Sequence, residues 1–111
     1  MLQITQRRQE GTLIAVYTGE LDHHAARAAI EQTEDLLVLF PCEKLVLDLS
    51  ELTFMDSSGI GMIMGRYKNI RFAGGTVLAV RVNERIRRIL TLSGVYKYID
   101  IYEELPKHSE V

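Results

Sequence analysis

The stretch Leu45 to Gly61 limits the fold more than any other. It opens with an apolar run, Leu45 to Leu49, broken only by Asp48. It continues through Ser50-Glu51-Leu52-Thr53-Phe54-Met55-Asp56 into Ser57-Ser58 and a glycine-rich segment with Gly59, Gly61 and Gly65. An apolar run of this length suits a strand covered on both faces, as in a parallel sheet. The glycine-rich part reads as a helix start, with the two serines at the joint between strand and helix.

The flanking segments fill in an α/β order. Leu2 to Arg7 alternates apolar and polar residues, a half-buried strand, and Gln9-Glu10-Gly11 is a turn. Thr12 to Thr18 is rich in strand formers and completes an N-terminal β-hairpin. Gly19 to Asp22 reads as a loop, with Asp22 as helix N-cap. The helix it starts carries Ala26, Ile30, Thr33, Leu37 and Phe40 on one stripe, widened by Leu36 and ended by Pro41. The central strand spans Lys44 to Leu49, with Ser50 to Ser57 as the loop after it. The glycine-rich helix is expected to turn Ile60, Ile63, Met64, Tyr67 and Ile70 inward and to stop at Ala73-Gly74-Gly75. Thr76 to Val80 is a fourth strand. Asn83 caps a third helix that buries Ile86, Ile89, Leu90 and Leu92 and ends at Ser93-Gly94. Tyr98 to Tyr102 is a fifth strand. A final helical turn from Glu103 to Leu105 is limited by Pro106, and Lys107 to Val111 is expected to fray.

The order is ββαβαβαβ(α) in a single domain, residues 1–111, with a mixed, mostly parallel sheet. Parallel crossovers are right-handed in nearly all proteins. The loops leaving strands two, three and four therefore share one sheet edge, where ligands and partners of open α/β sheets bind. Asp22, Asp56, Ser57 and Asn83 are expected on that edge together.

Composition excludes several classes. A net charge of −2 argues against nucleic acid and anionic membranes as partners. One cysteine, Cys42, allows no internal disulfide, which fits a reducing compartment. No apolar run approaches membrane-spanning length, and Met1 to Arg8 is no signal peptide. The expectation is a soluble, cytoplasmic monomer.

The serine joint has a plain reading, a helix N-cap worth about 1 kcal/mol. Three details argue for more. Each interior glycine costs about 0.8–1 kcal/mol against alanine, so three in one helix need close packing or a close partner. A phosphate on Ser57 would lie at the positive end of the helix dipole, beside Asp56, adding about −1.5 to −2 charges. Met62 falls off the apolar stripe, next to Arg66 and Asn69, where it serves either a contact surface or packing under a loop.

Gly19-Glu20-Leu21-Asp22-His23-His24, Leu52 to Gly61, Gly65-Arg66-Tyr67-Lys68 and Leu92-Ser93-Gly94 together resemble the STAS domain family of sulphate transporters and anti-sigma factor antagonists. Within it they are most similar to the antagonists of anti-sigma F factor in spore-forming bacteria. The resemblance implies a STAS-type fold and a binding protein rather than an enzyme. It implies an anti-sigma F factor that is also a serine kinase as partner, bound by the unphosphorylated form so that the sigma factor is released. Phosphate on the serine after the motif aspartate, Ser57 here with Ser58 as runner-up, ends binding, and a serine phosphatase restores it. ATP and magnesium belong to the kinase, so the chain itself needs no cofactor or metal. The resemblance implies Asp22 as a partner-recognition residue, and with the joint residues Asp56, Ser57, Ser58, Gly59, Gly61 and Met62 it makes up the expected contact surface. The same logic in another pathway, such as a general stress sigma factor, is the alternative. Asp48 departs from the neutral polar residue common there, and the C-terminal helix is short.

Other chemistries fit less well. Neither serine sits in the Gly-x-Ser-x-Gly frame of a nucleophile elbow. Adjacent His23 and His24 cannot face one metal, and Cys42 and His108 lack ligand spacing. The glycines lie in the wrong crossover for a dinucleotide loop. The cluster Arg81, Arg85, Arg87 and Arg88 is interrupted by Glu84 and reads as a solvated face. A receiver domain would need an acidic pair where Arg7-Arg8 stands.

Overall fold

The computed structural model describes residues 2–104. Its elements are β1 (Gln3–Gln9), β2 (Thr12–Leu21), α1 (His23–Leu39), β3 (Lys44–Met55), α2 (Ser57–Phe72), β4 (Thr76–Val80), α3 (Glu84–Ser93), a 3₁₀ turn (Val95–Lys97) and β5 (Asp100–Tyr102). The strands lie side by side in chain order. Gly11, in the left-handed region at φ 78°, reverses the chain so that β1 pairs antiparallel with β2. All later pairings are parallel. The expected order and mixed sheet are thus present. β1 has a single neighbour and is almost wholly exposed, rather than half-buried.

Stepping through the sheet in one direction with crossovers of one hand puts the helices on one face. The packing agrees. The main core joins Ala29 of α1, Met62, Ile63 and Ile70 of α2, and Ile86 and Leu90 of α3 to Leu13, Ala15, Tyr17, Leu45, Leu47 and Ala79 of the sheet. The alternate strand residues Ile14, Val46, Leu78 and Val80 form a second cluster with Val16 and Tyr102, and no helix joins it among the described residues. The Leu45 to Leu49 run is therefore buried on both faces but roofed by helices on one. Asp48, the polar break in the run, is only 4 % exposed. It accepts from the Ser50 hydroxyl at 2.7 Å and the Ser50 N–H at 3.0 Å. Its other oxygen lies 3.3 Å from Arg81 Nε, an ion-pair distance off hydrogen-bond geometry.

Both β2 and β3 outrun the lengths expected from the sequence. Residues 19–21 and 50–55, expected as loops, pair as Gly19↔Leu52, Glu20↔Phe54 and Leu21↔Met55. The register shifts twice on the way, between Val16 and Thr18 and between Gly19 and Glu20. Each irregularity moves a residue to the other face and so breaks the alternation that marks a strand. The consequence is positional: Leu21 and Met55 end side by side, and α1 and α2 start side by side.

At the far end, Asn83 caps α3 by accepting from Ile86 N–H at 2.9 Å, and Gly94 ends it at φ 83°. Leu92, two residues past buried Leu90, points away from the sheet and is 82 % exposed, against expectation. The N–H groups of Tyr98 and Ile99 donate to the Val95 carbonyl and belong to the 3₁₀ turn, so the fifth strand starts at Asp100, later than expected. Glu103 and Glu104 are not helical. The expected turn through Leu105 and the frayed tail otherwise lie outside the described residues.

Tyr17 is the largest fully buried side chain, and its hydroxyl pairs with Thr33 Oγ1 at 2.7 Å. Burial pushes the hydroxyl up to about 12, against the lowering effects of the Thr33 bond and the Arg66 charge. The folded value exceeds the unfolded one of about 10. The neutral phenol's stabilisation is therefore complete below pH 10 and lost as pH rises from about 10 through 12, to a total of about 2–3 kcal/mol. Denaturant midpoints measured from pH 9 to pH 12 should fall more steeply for the native chain than for Tyr17→Phe. Equal slopes would assign the alkaline loss to other groups.

Candidate functional site

The two helix starts meet at Asp56. Its Oδ1 accepts from the N–H groups of Ser58 at 2.9 Å and Gly59 at 3.3 Å, capping α2. Its Oδ2 accepts from the His23 N–H at 2.9 Å, in the first turn of α1. One carboxylate thus holds both N-termini, and the two helix dipoles favour its charge. Asp22 caps α1 in turn, accepting from Ala25 N–H at 2.9 Å. The third start is tied to the same edge: Asn83 Nδ2 donates to the Leu52 carbonyl at 2.7 Å. Asp22, Asp56, Ser57 and Asn83 therefore stand along one sheet edge, as the crossovers predict.

The cap is Asp56 and not a serine, which separates the two serines. Ser57 is the first residue of α2 and is exposed. Ser58 is half-buried; its N–H is held by Asp56 and its hydroxyl lies 3.3 Å from His23 Nδ1. The helix N–H groups of Ser58 and Gly59, which could otherwise meet a phosphate, are already taken by Asp56. A phosphate on Ser57 would therefore face a carboxylate. At about 4 Å like charges repel by roughly 1 kcal/mol in water and about 4 at an effective dielectric of 20.

Rotation of α2 separates the glycines and corrects the reading of Met62. The buried stripe is Gly59, Met62, Ile63, Arg66 and Ile70, about one residue out of phase with the expected one. The cause is Gly59. A Cβ there would lie 2.6 Å from Met55 Cγ and 2.7 Å from the Leu21 carbonyl oxygen, so the helix backbone rests directly on the strand ends. That contact turns Met62 into the core, 1 % exposed, and it is not a contact surface. Arg66 follows it inward, with Nη1 3.1 Å from Glu34 Oε1 but off hydrogen-bond geometry. Ile60, Met64 and Tyr67 are left half-buried at the margin. Gly61 is exposed, and a Cβ there would meet nothing within 4 Å among the described residues. Gly59 serves internal packing, whereas Gly61 lies open, one turn after Ser57 on the same face.

Two residues at this edge escaped the sequence reading as site members. Phe54, 38 % exposed near the end of β3, is an apolar side chain beside the joint. Its signal was hidden because Ser50 to Ser57 read as loop. His23 has no local signal that places its ring against Ser58, 35 residues away.

A family model, the STAS domain, matches residues 3–108. The chain belongs to the STAS domain family. An anti-sigma F factor antagonist of Paenibacillus polymyxa is 42% identical over 102 residues, covering 92% of this chain and 87% of the relative. An anti-sigma-B factor antagonist of Bacillus subtilis is 25% identical, covering 90% of each chain. The Bacillus cell fate determinant SpoIIAA, solved in its phosphorylated form, shares the fold with a TM-score of 0.67 at 22% identity, over 99% of this chain and 95% of that one. No helix among the described residues is long and apolar enough to cross a membrane.

Proposed function

We propose that this STAS domain is an anti-sigma factor antagonist of the sigma F pathway, switched by phosphate on Ser57. The unphosphorylated chain binds the anti-sigma F factor, a serine kinase, in the cytoplasm and makes it release its sigma factor. It is a binding protein and not an enzyme. The contact face is the edge carrying Asp22, Asp56, Ser57 and Ser58, with the open side of α2 at Gly61. Gly59 supports that face from beneath.

The observation that carries the reading is the joint itself. Ser57 is an exposed hydroxyl at the first helical position, with the capping already done by Asp56. It can take a phosphate without loss of a cap. In the transfer, Ser57 Oγ bonds to the γ-phosphorus of ATP, the bond to ADP breaks, and the hydroxyl proton leaves to the kinase or to water. ATP and magnesium are the kinase's. A serine phosphatase later hydrolyses the ester. The new charge beside Asp56 repels an acidic or closely fitted partner, and nothing has to refold. The 42% identity to an anti-sigma F factor antagonist supports the choice of pathway. The weaker match to an anti-sigma-B factor antagonist keeps a second reading, with the same Ser57 chemistry and a different kinase.

Intact mass and peptide mapping after incubation with an anti-sigma F factor kinase, ATP and magnesium test this. One phosphoryl group on Ser57 is expected. An unmodified chain, with a kinase active on its own substrate, rejects the sigma F assignment; modification by a sigma-B-type kinase instead would select the second reading.

A further inference from the structure

Two adjacent hydroxyls stand at the joint, and the switch as proposed uses one. We infer that His23 makes the choice: its imidazole withholds Ser58 and leaves Ser57 as the acceptor. This rests on the reading of the joint as a phosphorylation site.

The observations form a closed arrangement. The His23 backbone N–H is fixed to Asp56 Oδ2 at 2.9 Å, which anchors the residue at the start of α2. Its ring Nδ1 lies 3.3 Å from Ser58 Oγ. The Ser58 N–H is held by the other oxygen of the same carboxylate at 2.9 Å. The Ser58 N–H is thus held by the cap of its own helix and its hydroxyl is turned toward α1, and the residue is half-buried. Ser57 has neither restraint and is exposed. Phosphoryl transfer needs the acceptor oxygen in line with the γ-phosphorus and its leaving group, so positioning dominates the rate. A hydroxyl engaged across the helix junction has to break that bond and swing outward before it can be aligned. His23 acts through Ser58 and touches no transferring atom, so it is a positioning residue.

The test reads the site of modification rather than its amount. The wild-type chain, His23→Ala and His23→Asn are incubated with the anti-sigma F factor kinase, ATP and magnesium, and phosphate on Ser58 relative to Ser57 is measured by peptide mapping. Asparagine sets an amide group near the place of Nδ1 and keeps the backbone bond. The ratio should rise about fivefold in His23→Ala, the factor held back by a hydrogen bond of ordinary net strength, and return toward wild type in His23→Asn. An unchanged ratio in His23→Ala with Ser57 still modified overturns the inference. So does a His23→Ala chain modified at neither serine, because His23 would then serve kinase contact and not selection. A wild-type chain left unmodified by an active kinase removes the parent reading, and this one with it.

Discussion

Ser57→Ala is expected to bind the anti-sigma kinase as the native chain does and to take up far less phosphate, while Ser57→Asp binds at least about tenfold more weakly, a loss of about 1.4 kcal/mol or more. The two variants separate the hydroxyl's chemistry from its structural part. Were Ser57 the helix cap, alanine would cost about 1 kcal/mol of stability. The cap is Asp56, which holds Ser58 and Gly59 N–H, and Ser57 is exposed. Thermal melts of Ser57→Ala should therefore stay within about 0.5 kcal/mol of the native chain, as for ordinary surface substitutions. Aspartate adds one charge where phosphate adds nearly two, so its effect on binding is a lower bound for the switch. Titration calorimetry against the kinase checks affinity, and mass mapping checks modification. Full phosphate uptake by Ser57→Ala would make Ser58 the acceptor and remove Ser57 from the switch. Equal affinity of Ser57→Asp would mean that charge at this position does not govern docking.

What the sequence made legible followed local rules. Apolar runs, helical stripes and the caps Asp22 and Asn83 mark where elements begin, and the starts of α1 and α3 are found where expected. The shared edge of Asp22, Asp56, Ser57 and Asn83 follows from crossover handedness alone. What stayed hidden depends on contacts between distant segments. The ends of β2 and β3 are held by pairing with each other across shifted register, and neither segment shows a regular alternation by itself. The phase of α2 was misread because a glycine can be the most deeply seated residue of a helix face, and apolar periodicity gives it no weight. Met62 and Arg66 go inside as a consequence, Arg66 keeping its charge near Glu34. The double duty of Asp56 and the His23 to Ser58 contact exist only because α1 and α2 begin side by side, with sequence separations of 33 and 35 residues.

Gly59 and Gly61 should respond in opposite ways to the same small change. At Gly59 an added methyl meets Met55 Cγ at 2.6 Å and the Leu21 carbonyl oxygen at 2.7 Å. The side chain could shift, but the carbonyl belongs to the end of β2, directly before the Asp22 cap. Gly59→Ala is therefore expected to destabilise by about 1–3 kcal/mol, the usual penalty of overpacking. It should also weaken kinase binding, because the displaced helix start carries Ser57 and the Asp56 cap. At Gly61 the methyl meets nothing within 4 Å among the described residues. Gly61→Ala should stabilise by about 0.8–1 kcal/mol, the helix propensity that glycine forgoes. Gly61→Asp should likewise keep the fold, yet lose affinity for the kinase by placing bulk and charge one turn from Ser57. Urea midpoints for the three variants, with calorimetric titration against the kinase, decide the matter. A stable Gly59→Ala would mean that α2 does not rest on the strand ends. A Gly61→Asp chain that binds normally would place the partner elsewhere on the edge and leave this glycine unexplained, since nothing among the described residues requires it.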